Sequence, residues 1–304
     1  MINDPTQSDQ WSEWLLHRRH GDSSERASAI RPIIHRYADH VLNAARLTEN
    51  MTLVDIGSGD GLVAFEAIAR IGPSLRVILT DVSAAILSHT EAVARQRGVA
   101  TQCTFLTCSA EDLTAIPDAS VDVVATRSVL AYVANKKKAL QEFHRILKPG
   151  GRISLAEPIF RDDAFQIIAM KKWLDDHADC PDQRLLRLIN QWKHAQLPAT
   201  METIASNPLI NYSERDLFTM AKESRFTEVC VDLQLKSTLS LAMPWNVYIE
   251  CSPHPLAPTL KEIMEHQFSA QDREFFEQAV RPTIESGQME EVERMAYLAA
   301  VKPL

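Results

Sequence analysis

Three glycines within five residues, Gly57, Gly59 and Gly61, close a short apolar run, Thr52-Leu53-Val54-Asp55-Ile56. The run reads as a buried strand. The glycines behind it allow a tight turn and a close approach of backbone to a ligand. Elsewhere the chain is poor in glycine: nine in 304 residues, under half the usual ~7%. Glycine concentrated in this way marks a place that needs unusual backbone. A strand, a glycine turn and then a helix form the opening unit of a parallel α/β sheet.

The pattern downstream extends that unit. A helix is expected over 62–71, then a strand from Arg76 to Thr80 ending at Asp81. A helix from Ser83 to Arg97 follows, with Ser83 as N-cap. Strands are expected over 102–107 and 121–126. The helix 136–147 brings Leu140, Phe143 and Leu147 into register. Lys148-Pro149-Gly150-Gly151 breaks it before a strand at 152–157. Strands alternating with helices specify a doubly wound, mostly parallel sheet with helices on both faces.

The flanks are helical. Glu25 to Leu47 carries Ile30, Ile33, Ile34, Tyr37 and Val41 at helical spacing, and Leu185, Leu188, Ile189 and Trp192 form a second stripe. Ser213 to Ser224 reads as a helix and 227–240 alternates like a strand. Pro244, Pro253, Pro255 and Pro258 mark an irregular crossing before helices at 259–268 and 271–285 and a last strand at 293–302. The expected organisation is an N-terminal helical lid (1–50), a core (51–157), a helical cap (158–212), a continuation of the core (213–240), a helical insertion (241–288) and a last core strand (289–304).

Charge and cysteines narrow the chemistry. Thirty-two basic against 40 acidic side chains give a net charge of −8. That argues against a broad basic surface for nucleic acid. Five cysteines without a CxxC pair suggest reduced, cytoplasmic thiols rather than a disulfide framework or a zinc site, and no metal is expected. MINDPTQSDQ has no basic or apolar leader character, and no stretch approaches 18 apolar residues, so neither a signal peptide nor a membrane span is expected. No HExxH, GxSxG or GKS/T motif appears.

The glycine turn separates two cofactors. A dinucleotide loop reads G-x-G-x-x-G, but here Leu62 stands where the third glycine would be, and the order is G-x-G-x-G. Asp55, two residues before the first glycine, suits a cationic ligand better than a pyrophosphate. Asp81 at the end of the second strand can accept hydrogen bonds from ribose hydroxyls.

VDIGSGDG, Asp81, Ser109-Ala110-Glu111-Asp112 and LKPGGRISLAEP together resemble the class I S-adenosylmethionine-dependent methyltransferases, of the small-molecule type. The resemblance covers residues 51–157. It implies a seven-stranded Rossmann-like sheet and S-adenosylmethionine as cofactor, with S-adenosylhomocysteine as product. It implies that Asp55 and Gly57 face the methionine part, that Gly59 lets the backbone approach it, and that Ser58, Gly61 and Ser109 also bind the cofactor. Asp81 would bind the ribose, Val82 would pack on adenine, and Ala110 and Glu111 would contact the adenine edge. Arg127 would face the sulfonium and the acceptor. The flanking WLLHRRHG, TRSVLAYV, PHPLAPTL and AYLAAVKP are similar to a bacterial methyltransferase group linked to enzymes that methylate methionine sulfur.

The expected activity is in-line transfer of a methyl group to a small-molecule S, N, O or C nucleophile, with methionine sulfur favoured. RNA or protein methylation, and a non-catalytic cofactor-binding partner protein, remain alternatives. The candidate catalytic residues are Arg127, His20 and Tyr132, with His17 and His254 as further candidate bases. His17, Arg18, Glu157, Arg161 and Tyr212 are candidates for the acceptor. His17-Arg18-Arg19-His20 either enters the pocket or forms a solvated face, and Arg127 either meets ligand or makes a structural ion pair. Lys136-Lys137-Lys138 reads as a solvated face. A monomer or homodimer is expected, with neither nucleic acid nor membrane as partner.

Overall fold

The computed structural model describes residues 8–179 and 183–304. A short helix, α1 (Gln10–Glu13), runs into a π-helical turn over Trp14–Arg18. Asp9 caps it by accepting from the Trp11 and Ser12 amides. α2 (Ser24–Ala45) follows, capped by Ser23. Strands and helices then alternate: β1 (Thr52–Ile56), α3 (Leu62–Ile71), β2 (Arg76–Asp81), α4 (Ala84–Gln96), β3 (Cys103–Thr107), β4 (Val121–Arg127), α5 (Lys136–Ile146) and β5 (Leu147–Pro158). Beyond them come α6 (Arg161–Asp176), α7 (Arg184–Gln196), α8 (Thr203–Ser206), α9 (Glu214–Glu223) and β6 (Thr227–Leu239). α10 (Trp245–Tyr248), α11 (Leu260–Gln267), α12 (Ala270–Glu285) and β7 (Glu290–Val301) complete the chain.

The seven strands lie in the order β3-β2-β1-β4-β5-β7-β6, with β7 antiparallel to both neighbours and the rest parallel. This is the doubly wound α/β fold. Chain order reverses between β1 and β4, so the crevice beyond their carboxyl ends is where such a sheet binds ligands.

Alternating side chains feed two cores. Leu53, Leu75, Val77 and Leu79 pack with Val41 and Leu42 of α2 and Phe65 of α3 on one face. Val54, Ile56 and Val124 pack with Leu140 and Phe143 of α5 and Leu217 of α9 on the other. Ser154 in β5 ties α2 to the sheet by donating to the Val41 carbonyl at 2.6 Å. A third cluster joins Leu188 and Trp192 of α7 to Trp245, Leu260 and Phe276 of the late helices.

Two expectations are corrected. Lys148-Pro149-Gly150-Gly151 does not precede the strand but belongs to β5, with a register irregularity against β4. The Gly150 amide donates to the Lys302 carbonyl, and Gly151 packs so closely on Lys148 and Asp122 that a Cβ there would meet their carbonyls at 2.8 and 3.0 Å. Lys136 is not on a solvated face. It is 4% exposed, and its ammonium donates to the Val133 and Pro208 carbonyls and to Asn211. It also stands over the Tyr212 ring, and the fold of 208–212 over the start of α5 is what buries it.

Among the described cysteines Cys103, Cys108, Cys230 and Cys251 are free thiols, and Cys180 lies outside the described residues. No helix among the described residues is long and apolar enough to cross a membrane.

Candidate functional site

The turn after β1 is built on backbone that side chains resist. Gly57, Gly59 and Gly61 have φ of 59°, 55° and 77°. A Cβ at Gly57 would meet Val129 at 2.6 Å, and one at Gly61 would meet Phe65 at 2.5 Å. Glycine suits all three positions by conformation, and at Gly57 and Gly61 the space excludes a side chain as well. The Gly59 amide donates to Asp81 at 3.1 Å, and Thr90 of α4 donates to the Gly59 carbonyl at 2.6 Å. The Ser58 amide donates to the Thr80 carbonyl at 2.8 Å. The loop is therefore fixed on β2 and α4 before any ligand arrives.

A cavity of about 840 Å³ opens over this turn. That lies within the ~300–1,000 Å³ usual for small-molecule sites. One end is formed by Gly57, Gly59, Asp81, Val82, Ser109, Ala110 and Glu111. Asp81 accepts from the Gly59 and Ser83 amides, one on each oxygen, which aims the carboxylate and leaves lone pairs toward the cavity. Val82 is 49% exposed, an apolar side chain open to the cavity. The Glu111 carboxylate is held by the Asn135 amide at 2.7 Å.

Asp55 lies beneath this end rather than in its lining. It is 2% exposed and accepts from the Ala64 amide of α3 at 3.1 Å. Burial pushes its pKa up to about 7. Ser58 and Gly61 also stand behind the lining, and the Ser58 hydroxyl is buried without a hydrogen-bond partner.

The other end combines distant segments. Arg127 ends β4 and Tyr132 lies in the turn after it, Phe160 precedes α6 and Lys193 belongs to α7, and Tyr248 and Cys251 come from the late insertion. Glu157 shapes this end from below. Fully buried, it accepts from the Thr126 hydroxyl at 2.6 Å, the Val129 amide at 2.9 Å and the Ala131 amide at 3.3 Å. These bonds hold the turn at Ser128, whose φ is 59°. Burial raises the Glu157 pKa. Tyr132 packs edge-on against Trp11 with ring centroids 5.3 Å apart, and burial raises its pKa, so its hydroxyl is a hydrogen-bond donor.

The N-terminal segment roofs the cavity with Trp11, Trp14, Leu15, Arg19 and Arg26. The Trp14 indole donates to the Ser252 carbonyl at 2.9 Å, and the Ser252 amide donates to the Arg18 carbonyl at 2.8 Å, so this roof is pinned to the late insertion. Arg19 pairs with Asp60 of the glycine turn at 3.3 Å, and burial lowers its pKa.

The sequence-nominated acceptor residues do not gather here. His17 pairs with Asp22 on an exposed face, Arg18 with Glu262 and Arg161 with Asp216. Tyr212 is 1% exposed and donates to the Pro158 carbonyl. His20 is outside the cavity lining, its Nδ1 buried without a partner, and burial lowers its pKa. His254 is also outside. Its Nε2 donates to the Gln196 carbonyl, and burial brings its pKa to about 4. Arg19, Arg26, Trp11 and Lys193 were missed as individual ligand candidates. The signal for Arg19 and Arg26 was a cation on the apolar, roof-forming face of the N-terminal helices, and it is legible once that face is known to cover a cavity.

A family model described as a methyltransferase domain matches residues 47–225. The tRNA 5-carboxymethoxyuridine methyltransferase of Escherichia coli K12 is 31% identical over 107 residues, 35% of this chain and 40% of the relative. The ubiquinone/menaquinone biosynthesis C-methyltransferase UbiE of Idiomarina loihiensis is 30% identical over 125 residues, 41% of this chain and 49% of the relative. The chain thus matches half or less of the length of these curated relatives. The solved YcgJ protein from Bacillus subtilis superposes with a TM-score of 0.56 at 18% identity, covering 89% of this chain and 99% of that one. A putative sarcosine dimethylglycine methyltransferase from Galdieria sulphuraria gives 0.52 at 16%, covering 93% and 89%. At such identities the structures share the fold.

Proposed function

Since the chain belongs to the methyltransferase-domain family, we propose that it moves a methyl group from S-adenosylmethionine to a small-molecule nucleophile inside the cavity. The observation that carries this reading is the composite cavity itself, in which a glycine turn with its aligned carboxylate meets a walled second chamber.

The cavity's first end fits the cofactor. Asp81 is positioned to accept from vicinal hydroxyls. Val82, Ile86 and Ala110 offer an apolar wall for a flat heterocycle, and Glu111 stands at its edge. The left-handed turn lets the Gly59 peptide come close without a side chain between. Arg19, held over that turn by Asp60, is placed to meet a carboxylate. When bound, S-adenosylmethionine supplies a methyl group already activated on a cationic sulfur, and transfer leaves that sulfur a neutral thioether.

The remaining work of the chain is alignment and exclusion of water. Trp11, Trp14 and Tyr132 close one side, and Phe160 and Tyr248 the other. Glu157 acts as a positioning residue by fixing the turn that follows Arg127 and carries Tyr132. His20 and His254 lie outside the lining, so neither is placed to take a proton from the acceptor, and a thioether (methionine among them) or a neutral amine needs no such base.

Methyl-labelled cofactor supplied with pooled small molecules (methionine, catechols, amines, arsenite) and, separately, with total RNA tests the reading. Label entering a small-molecule pool is expected. Label entering RNA alone would overturn the choice of acceptor.

A further inference from the structure

The cavity lining mixes charges, with Asp81, Glu111, Asp163, Glu290 and Glu291 among its side chains, but two of its guanidinium groups are left without a carboxylate. Its four cations are Arg19, Arg26, Arg127 and Lys193. Arg19 pairs with Asp60 at 3.3 Å. Lys193 reaches water through the cavity, and Glu291 and Asp163 are near enough to oppose the lowering of its pKa by burial. Arg26 and Arg127 pair with no carboxylate among the described residues.

The Nε of Arg26 is buried without a hydrogen-bond partner, and so is that of Arg19. Arg26 lies beside the Cys251 thiol, which burial keeps neutral. It also stands in the first turn of α2, where the helix dipole disfavours a cation. Arg127 is close enough to Arg19 that its charge helps to lower the Arg19 pKa. Of the carboxylates in the lining, Asp163 accepts from Arg294 at 2.6 Å, Glu290 from the Ser237 hydroxyl at 2.5 Å, Glu111 from the Asn135 amide and Asp81 from two amides, while Glu291 stands near Lys193. A half-buried guanidinium whose nitrogen has lost water without gaining a partner is offset by an anion that pairs with it. The cofactor brings one carboxylate, which Arg19 is placed to take, and two guanidinium groups remain.

We propose that the methyl acceptor carries an anionic oxygen group, a carboxylate or a phosphate, and that Arg26 and Arg127 hold it at the far end of the cavity. This rests on the methyl-transfer reading of the same cavity. A guanidinium presents two parallel N–H donors that match paired oxygens, which a single ammonium does not. Because Arg26 belongs to the N-terminal helix and Arg127 to the end of β4, an anion between them would join roof to core. The acceptor would then complete the enclosure in which it reacts.

The test uses the full chain saturated with S-adenosylhomocysteine. Its thermal midpoint is followed against acetate, inorganic phosphate and chloride at matched ionic strength. Acetate or phosphate is expected to raise the midpoint saturably where chloride does not, and the more effective of the two identifies the group. Arg26→Gln should lose most of that rise and Arg26→Lys should keep about half, while both bind S-adenosylhomocysteine within roughly two-fold of the parent protein. With acceptor pools offered as paired acids and primary amides, methyl transfer should favour the acids by about ten-fold or more, and Arg26→Gln should erase the preference. Equal responses to all three anions, or an Arg26→Gln variant that responds like the parent, overturns the proposal. Failure of the parent protein to bind S-adenosylhomocysteine overturns the methyl-transfer reading, and this proposal with it.

Discussion

Asp55 offers the sharpest test of how the glycine turn is supported. Its carboxyl is 2% exposed, takes the Ala64 amide at the start of α3, and has its pKa raised from 3.8 to about 7 by burial, against a lowering influence from Arg127. The folded state therefore holds this proton more tightly than the unfolded chain. Stability falls as pH rises from about 4 to about 7, and the loss is complete above the folded pKa. A displacement of about three pH units corresponds to roughly 4 kcal/mol, of which ~2–3 kcal/mol develops between pH 5 and pH 8. Asp55→Asn keeps an oxygen for the Ala64 amide and removes the titration. Any cost of the new amide hydrogens is the same at every pH. Urea unfolding of parent and variant without cofactor, at pH 5 and pH 8, measures the difference. The variant should gain on the parent by ~2–3 kcal/mol between the two pH values, equivalent to roughly 5 °C in midpoint. A gap that stays constant would mean that the Arg127 charge keeps Asp55 ionised in the fold, and the assignment of Asp55 as a buried carboxyl that protonates near neutrality would be wrong.

Other consequences follow from the same contacts. Gly57→Ala would place a methyl 2.6 Å from Val129 in a left-handed turn, and should cost about 2–4 kcal/mol in denaturant titration and weaken S-adenosylhomocysteine binding at least ten-fold by calorimetry. Asp81→Ala removes the carboxylate that orders the Gly59 amide, so cofactor affinity should fall by about 2 kcal/mol with the fold retained by circular dichroism. Lys136→Met leaves the Val133 and Pro208 carbonyls and the Asn211 oxygen without their donor, and should lower unfolding stability by about 2 kcal/mol while leaving S-adenosylhomocysteine affinity unchanged.

What the sequence discloses here is what is decided locally. Gly57, Gly59 and Gly61 are legible because all three need left-handed backbone, which is a property of the turn itself. Ser83 is legible as a cap because its hydroxyl meets the Ile86 amide three residues on. Tertiary contacts are a different matter. Arg18 resembles a ligand residue until Glu262, 244 positions away, claims it, and Arg161 until Asp216 does. Lys136 reads as solvated until residues 208–212 fold over it. Arg26 and Lys193 line one cavity only because α2, α7 and the late insertion converge on it, and no periodicity within either helix encodes that convergence.

The central claim is that the glycine turn and Asp81 form an S-adenosylmethionine site rather than a dinucleotide site. Isothermal titration of the full chain with S-adenosylhomocysteine and with NAD measures this most directly. One molecule of S-adenosylhomocysteine should bind per chain, about thirty-fold more weakly in Asp81→Ala, with no heat from NAD. Binding of NAD without S-adenosylhomocysteine would contradict the claim.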